Sequence, residues 1–263
     1  MVPFAFKLRK NNYDIVFDFL SNPTSSKLAY ATGAKIRVGY NRRGRAWAYN
    51  RFPTEISPND YSVKDKLSLL QAVGINSENL SLDFHVPDSN QDEAEKDIGE
   101  RDDLLAVVPV SRREYKRWSL EYFAIVLDRA VERLNLEPLL LCGPNEIGYL
   151  RELASLMKST ALIREMESFQ QFGAYLLQTR MFFGNDNGPK HIAVALGIPT
   201  LAIFGHQNPY NWTEPDNPKH TFVTEEFDCK LNCNPKKCVN IRCLEGIPPD
   251  RVYQKLKEQW LSW

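Results

Sequence analysis

The strongest constraint on the fold is an alternation running from residue 104 to residue 205, in which short apolar runs are separated by longer amphipathic stretches. LLAVVPV (104–110), EPLLLCG (137–143), MFFGND (181–186) and TLAIFG (200–205) have strand length and are apolar almost throughout. A strand with one wet face alternates apolar and polar residues; one that is apolar at nearly every position is covered on both faces, as in parallel sheets. Between these runs, SLEYFAIVLDRAVERL (119–134), EIGYLRELASLM (146–157), FQQFGAYLLQT (169–179) and GPKHIAVALG (188–197) have helical length, and Ser119 is placed to cap the first of them. ALIREM (161–166) reads as a further short strand. Strands and helices taking turns, with short polar loops between them, imply an α/β fold with a doubly wound parallel sheet.

The first half is less regular. DIVFDFL (14–20) and IRVGY (36–40) read as strands around a helical SSKLAYATG, and DKLSLLQAV (65–73) as a helix stopped by Gly74. A short strand in SLDFHV then passes through Pro87 into a strongly charged stretch, so residues 86–102 read as a linker. The expected division is 1–102 and 103–263, which suits a chain of 263 residues. Lys plus Arg and Asp plus Glu number 33 each, so no global field favours nucleic acid. No apolar run reaches the ~18 residues of a membrane span, and MVPFAFKLRKNNYD becomes charged too early for a secretory signal. Five cysteines in a chain of this size do not suggest a disulfide framework, so a cytoplasmic protein with reduced thiols is expected. Cys229, Cys233, Cys238 and Cys243 are close enough together for a structural zinc or for unconnected thiols, with spacings looser than usual zinc pairs.

In doubly wound sheets ligands bind beyond the carboxyl ends of the strands. That selects four loops: VSRREYKRW (110–118), GPNE (143–146), GNDNGPKH (184–191) and GHQNPYNW (205–212). In the third, Asn185, Asp186 and Asn187 suit a tight turn, Gly188 allows close approach, and Pro189 suits a first helical turn. Lys190 and His191 add donors to the helix amides, so the segment reads either as an anion site or as an ordinary capped connection. Ser111, Arg112, Arg113, Lys116 and Arg117 could neutralise a diphosphate or form a solvated basic loop. Glu146 could hold a ribose diol or favour its helix N-terminus, and Met166 could meet a base or fill the core. Arg42, Arg43 and Arg45, interleaved with Tyr40, Trp47 and Tyr49, suit a phosphorylated sugar, an anionic headgroup or a single-stranded nucleic acid, or form an exposed loop. Asp-x-Asp, the P-loop pattern and G-x-S-x-G do not occur.

FFGNDNGPKHIAVALGIPTLAIFG resembles the signature of glycosyltransferase family 9, the ADP-heptose:lipopolysaccharide heptosyltransferases, where a strand runs into Asp-Thr-Gly-Pro-Met-His. VPVSRREYKRWSLEYFAIVLDR, LLLCGPNEIGYLREL, CVNIRCLEGIPPDRVYQKL and, in the first half, DIVFDFLSNPTSSKLAYATGAKIRVGYN are similar to further family segments. The resemblance implies a GT-B architecture: two Rossmann-like domains with parallel sheets, the N-terminal one incomplete. It also implies inverting, metal-independent transfer of a heptose from ADP-heptose to a lipopolysaccharide core. Ser111, Arg112, Lys116, Glu146, Met166, Asp186, Asn187, Gly188 and His191 would bind the donor, Lys116 also stabilising the leaving diphosphate. Arg42, Arg43 and Arg45 would face the acceptor, and no metal or cofactor is implied. The expected partners are a nucleotide-sugar donor and a lipopolysaccharide or other glycolipid acceptor at the inner membrane surface, met by a monomer peripheral to that membrane. Nucleic acid is not an expected partner. Asn187 and Lys190 stand where the family has Thr and an apolar residue. The family's strand and Gly-Asp loop, which supply the general base, are expected upstream of residue 1. The alternatives are an inactive sugar-nucleotide-binding protein and a GT-B enzyme using another nucleotide sugar, such as an epimerase.

Overall fold

The computed structural model describes residues 2–54, 60–226, 233–234, 238 and 241–263. The chain forms two compact units, residues 1–80 with 210–212, and residues 81–209 with 213–263.

The second unit is built on six parallel strands: β3 (Leu104–Val108), β4 (Glu137–Cys142), β5 (Leu162–Glu165), β6 (Met181–Asn185), β7 (Thr200–Phe204) and β8 (His220–Thr224). Their order is β5-β4-β3-β6-β7-β8, so the chain winds outward from β3, returns to the middle, and winds the other way from β6. Every residue of β3, β6 and β7 is buried, as the unbroken apolar runs require. Helices α5 (Leu120–Leu134), α6 (Ile147–Leu156), α7 (Phe169–Leu177), α8 (Gly188–Ala195), α9 (Arg242–Glu245) and α10 (Pro249–Ser262) belong to this unit. Ser119 caps α5 through Tyr122 N, and Asn135 ends it in the left-handed conformation at φ 53°. Trp118, fully buried, donates its indole N–H to Ile247 O at 3.2 Å and meets Phe123 edge-on. α10 packs on α5 and contributes Val252, Tyr253, Leu256 and Trp260 to the same core.

Three segments differ from the sequence expectation. Residues 86–102 are not a linker: α4 (Asp88–Ile98) forms there and packs against α7, which moves the boundary between units back to residue 80. The charge of DSNQDEAEKDI conceals an apolar stripe of only two buried residues, Ala94 and Ile98. The Asp97 carboxylate reinforces the contact by accepting from Arg164 Nε at 2.5 Å and Tyr175 OH at 2.8 Å. SLDFHV is irregular rather than a strand; Phe84 and Val86 instead fill the space opened by Gly173, where a Cβ would lie 2.8 Å from the Phe84 ring. β8 was not apparent in the sequence, since HTFVT is short and mixed in polarity.

The first unit contains α1 (Val2–Lys10), β1 (Ile15–Asp18), α2 (Pro23–Ala31), β2 (Ile36–Gly39) and α3 (Ser62–Gln71). β1 and β2 are parallel, with Ile15 beside Ile36 and Asp18 beside Gly39. Two strands alone make a marginal sheet, and local polar bonding reinforces this one. Asn22 caps α2 by accepting from Thr24 N and Ser25 N, while Ser25 returns a bond to Asn22 N. The Asp18 carboxylate accepts from Tyr49 OH at 2.7 Å, Ser21 N at 2.9 Å and Leu20 N at 3.0 Å.

Gly184 lies beside Val108 in the β3–β6 register, and a Cβ there would sit 2.5 Å from the Val108 carbonyl oxygen. Backbone cannot yield as a flexible side chain can, so Gly184→Ala is expected to destabilise the fold by about 1–3 kcal/mol in urea unfolding. An unchanged midpoint would show that the two strands approach less closely.

Candidate functional site

The chain changes winding direction between β3 and β6, and the loops after these two strands meet there. Such a switch point is where open α/β sheets hold ligands. Polar side chains stitch the loops together. Asn185 donates from Nδ2 to Pro109 O at 2.5 Å and accepts Trp118 N at 3.0 Å, while Asn187 Nδ2 donates to Val110 O at 2.9 Å. Asn187 also caps α8, its Oδ1 accepting Lys190 N at 3.1 Å. The sequence suggested Asn185 only as a turn former; its role as the bolt between loops needs the neighbouring strand's carbonyl, which no local pattern reveals.

Lys116 lies in a single 3₁₀ turn (Glu114–Lys116) after β3. Its Nζ donates to Asp186 Oδ2 at 2.7 Å, across the switch point, and to Gln207 Oε1 at 2.5 Å. The lysine side chain keeps 20% of its surface exposed and the aspartate 8%. This half-buried pair leaves an ammonium at the mouth of the crevice. Gln207 lies in one of the four loops selected from the sequence, but nothing in its identity marked it there.

Around this pair the charges are unevenly solvated. Lys190 is 1% exposed and lies over the Phe204 ring at 5.0 Å. Burial pushes its pKa down to about 8, against the attraction of Asp186. His191 is pushed down to about 4, first by burial and then by Lys190, with Asp186 opposing. Burial also lowers His206, whose ring meets Tyr115 edge-on at 5.4 Å. His220 is pushed to about 4, chiefly by burial, and shares a bond with Thr200 Oγ1 at 3.1 Å.

Lys116, Asp186, Asn187, Gly188 and His191 thus share one region, and the remaining expected residues have separate settings. Ser111 is buried, its carbonyl accepting Arg117 Nε at 2.8 Å. Arg117 lies over the Tyr149 ring at 4.9 Å, whereas Arg112 and Arg113 are exposed. The Glu146 carboxylate accepts Gly143 N at 3.2 Å, bracing the turn after β4. Met166 lies in the main apolar core, 2% exposed.

In the first unit, Arg42 and Arg43 are exposed, and Arg42 lies over the Tyr40 ring at 5.2 Å. Arg45 is partly buried, its Nε having no hydrogen-bond partner among the described residues. Burial would raise the Asp18 pKa, but the bonds from Tyr49, Ser21 and Leu20 carry it below the usual carboxylate range. Asp18 is therefore a bonded structural anion. Among the described residues no group of three His, Cys, Asp or Glu side chains could hold a metal. Cys229 of the cysteine cluster lies outside the described residues, and Cys243 is buried in α9.

A family model described as glycosyltransferase family 9 (heptosyltransferase) matches residues 1–242. The chain belongs to glycosyltransferase family 9. Lipopolysaccharide heptosyltransferase 3 of Escherichia coli K12 is 24% identical to this family 9 chain over 225 residues, 78% of the chain and 62% of that relative. The chain thus spans less than two thirds of that relative's length. A family 9 glycosyl transferase from Veillonella parvula superposes with a TM-score of 0.80 at 19% identity, over 99% of this chain and 78% of that one. E. coli ADP-heptose lps heptosyltransferase II superposes with a TM-score of 0.73 at 16% identity, over 99% and 80%. At these identities the superpositions establish the fold, α/β with parallel sheets as in GT-B glycosyltransferases.

The lowered histidines make stability sensitive to acid in a defined window. In the unfolded chain His191 and His220 protonate near 6.5, and in the folded chain only near 4. Between these values the unfolded state binds more protons, so the histidines' contribution to stability is full above about pH 6.5 and falls as the pH drops toward 4. Asp18, Asp97 and Asp128, all held below the usual carboxylate range, contribute stability that is lost only below about pH 4. Urea midpoints are expected to fall from pH 7 to pH 5, and His220→Gln is expected to flatten that slope. Equal midpoints at the two pH values would contradict the neutral histidines.

Proposed function

We propose that this family 9 chain is a glycosyltransferase that takes a heptose from ADP-heptose and passes it to a lipopolysaccharide core acceptor. The observation that carries the reading is the half-buried Lys116–Asp186 pair at the switch point, beside the N-terminus of α8. The donor diphosphate lies against Lys116 and the first-turn amides of α8. These fixed charges stabilise the diphosphate as it departs, and they require no reorganisation at that moment. Asn187, Gly188 and His191 border the same phosphates and sugar, and the depressed pKa of His191 keeps its ring a neutral hydrogen-bonding group at pH 7. Ser111 and Arg112 flank the diphosphate, and Glu146 takes the ribose diol. Transfer proceeds with inversion and without a bound metal.

Arg42, Arg43 and Arg45 face the anionic part of the acceptor in this reading. The protein works as a monomer in the cytoplasm, peripheral to the membrane that carries the acceptor. The names of the two E. coli relatives support the donor and acceptor classes. No helix among the described residues is long and apolar enough to cross a membrane.

Thermal stability titrated with ADP, UDP and GDP tests the donor assignment. A ligand at a hundred times its dissociation constant adds about 2.7 kcal/mol, which raises the melting midpoint of a chain this size by roughly 2–4 °C. The expected result is a shift of that size with ADP alone. Lys116→Ala should abolish it, since Asp186 would then face the diphosphate without its counter-charge. A shift with UDP or GDP but not ADP would overturn the donor assignment.

A further inference from the structure

Lys116 makes two hydrogen bonds, to Asp186 and to Gln207, although an ammonium has three N–H donors. The Asp186 bond alone would leave a flexible four-carbon stem free to pivot about one contact. The Gln207 bond supplies a second fixed point from the loop after β7, the neighbour of β6 in the sheet. The base of that loop is itself held: a Cβ on Gly205 would lie 3.1 Å from Leu244 Cγ and 3.3 Å from Cys243 Sγ, both residues of α9. Because an ammonium cannot accept a hydrogen bond, the glutamine must present its oxygen to Lys116 and turn its NH₂ away.

We infer that Gln207 is a positioning residue of the donor site, holding the Lys116 ammonium between three loops so that its remaining N–H is presented to a nucleoside diphosphate. This rests on the donor-site reading above. The chemistry of the side chain matters as much as its reach. Asp186 already faces the lysine, and a second carboxylate at this position would cancel the positive charge that Lys116 and Lys190 leave over and so weaken the attraction for a diphosphate. An amide oxygen fixes the ammonium without adding charge. The amide NH₂ is a further neutral donor on the same loop.

Calorimetric titration with ADP of the wild type, Lys116→Met, Gln207→Met, the double variant and Gln207→Glu tests the inference. Gln207→Met keeps the length of the side chain and removes the acceptor; it is expected to weaken ADP binding about tenfold. In the Lys116→Met background the same change is expected to have no further effect, because there is then no ammonium to position. A merely structural glutamine would produce additive losses. Gln207→Glu, nearly identical in shape, is expected to weaken ADP more than Gln207→Met does, and it carries the test if the methionine variant lowers the melting midpoint. Undiminished ADP binding by Lys116→Met would overturn the donor-site reading and this inference with it. Weakened binding in Lys116→Met, together with unchanged binding in Gln207→Met or additive losses in the double variant, would overturn the role of Gln207 alone.

Discussion

β3 and β6 run side by side in the middle of the sheet, buried on both faces and so close that a Cβ at Gly184 has no room beside the Val108 carbonyl. The site depends on that close pairing. The chain departs from β3 in one direction and from β6 in the other, so the two following loops cannot be covered by a crossover helix and are left facing each other. Asn185, at the end of β6, then bonds to Pro109 and Trp118 and sets the distance between the loops. Lys116 and Asp186 meet because these backbone bonds bring them together; their mutual attraction follows from that geometry.

The charges around the pair form a gradient of burial. Lys116 keeps access to solvent, Asp186 is nearly enclosed, and Lys190 is enclosed completely. An exposed ammonium is strongly hydrated and screened; one held by Asp186 in a partly dry crevice presents its field in a fixed direction. Behind it, His191 and His220 lose their positive form because the same dryness penalises charge. Lys190 is buried as well, and its ammonium lies over the face of the Phe204 ring at 5.0 Å, a cation–π contact. The charged end sits in the field of Asp186, so the carboxylate interacts with two cations, one on the solvent side and one inside.

The first unit follows a different logic. Its two strands bury little by themselves, and the small clusters around Tyr49 and Leu69 are modest beside the main core. Polar bonding compensates. Asp18 gathers the Tyr49 hydroxyl and two amides of the turn into α2, and Ser21 passes the network on by accepting Tyr40 N at 2.9 Å. Tyr40 in turn donates to Asp65 of α3 at 2.8 Å. A chain of such bonds in a half-buried setting can order a segment whose apolar area alone is too small.

Much of this protein was legible in the sequence where physics acts locally. Unbroken apolar runs made β3, β4, β6 and β7 buried parallel strands, because a wet face would have required polar residues at alternate positions. Loop chemistry marked Pro189 as the first turn of a helix after a polar turn, since a missing N–H acts within one turn, and the structure shows Asn187 as its cap. The family signature around residues 182–205 has the same local origin. Elements whose stability comes from elsewhere in the fold were not legible. α4 looked like a charged linker because its two apolar residues matter only once α7 and the Asp97–Arg164 bond are in place. β8 depends on an already formed β7 edge, and Gln207 gains its meaning only from a lysine brought close by strand order. The sequence by itself determined the four buried strands, the helices between them and which loops carry donors, because those choices rest on contacts a few residues apart. Tertiary structure alone decided which loops face each other and which charges are dry, because the order of strands and the exclusion of water are properties of the assembled sheet.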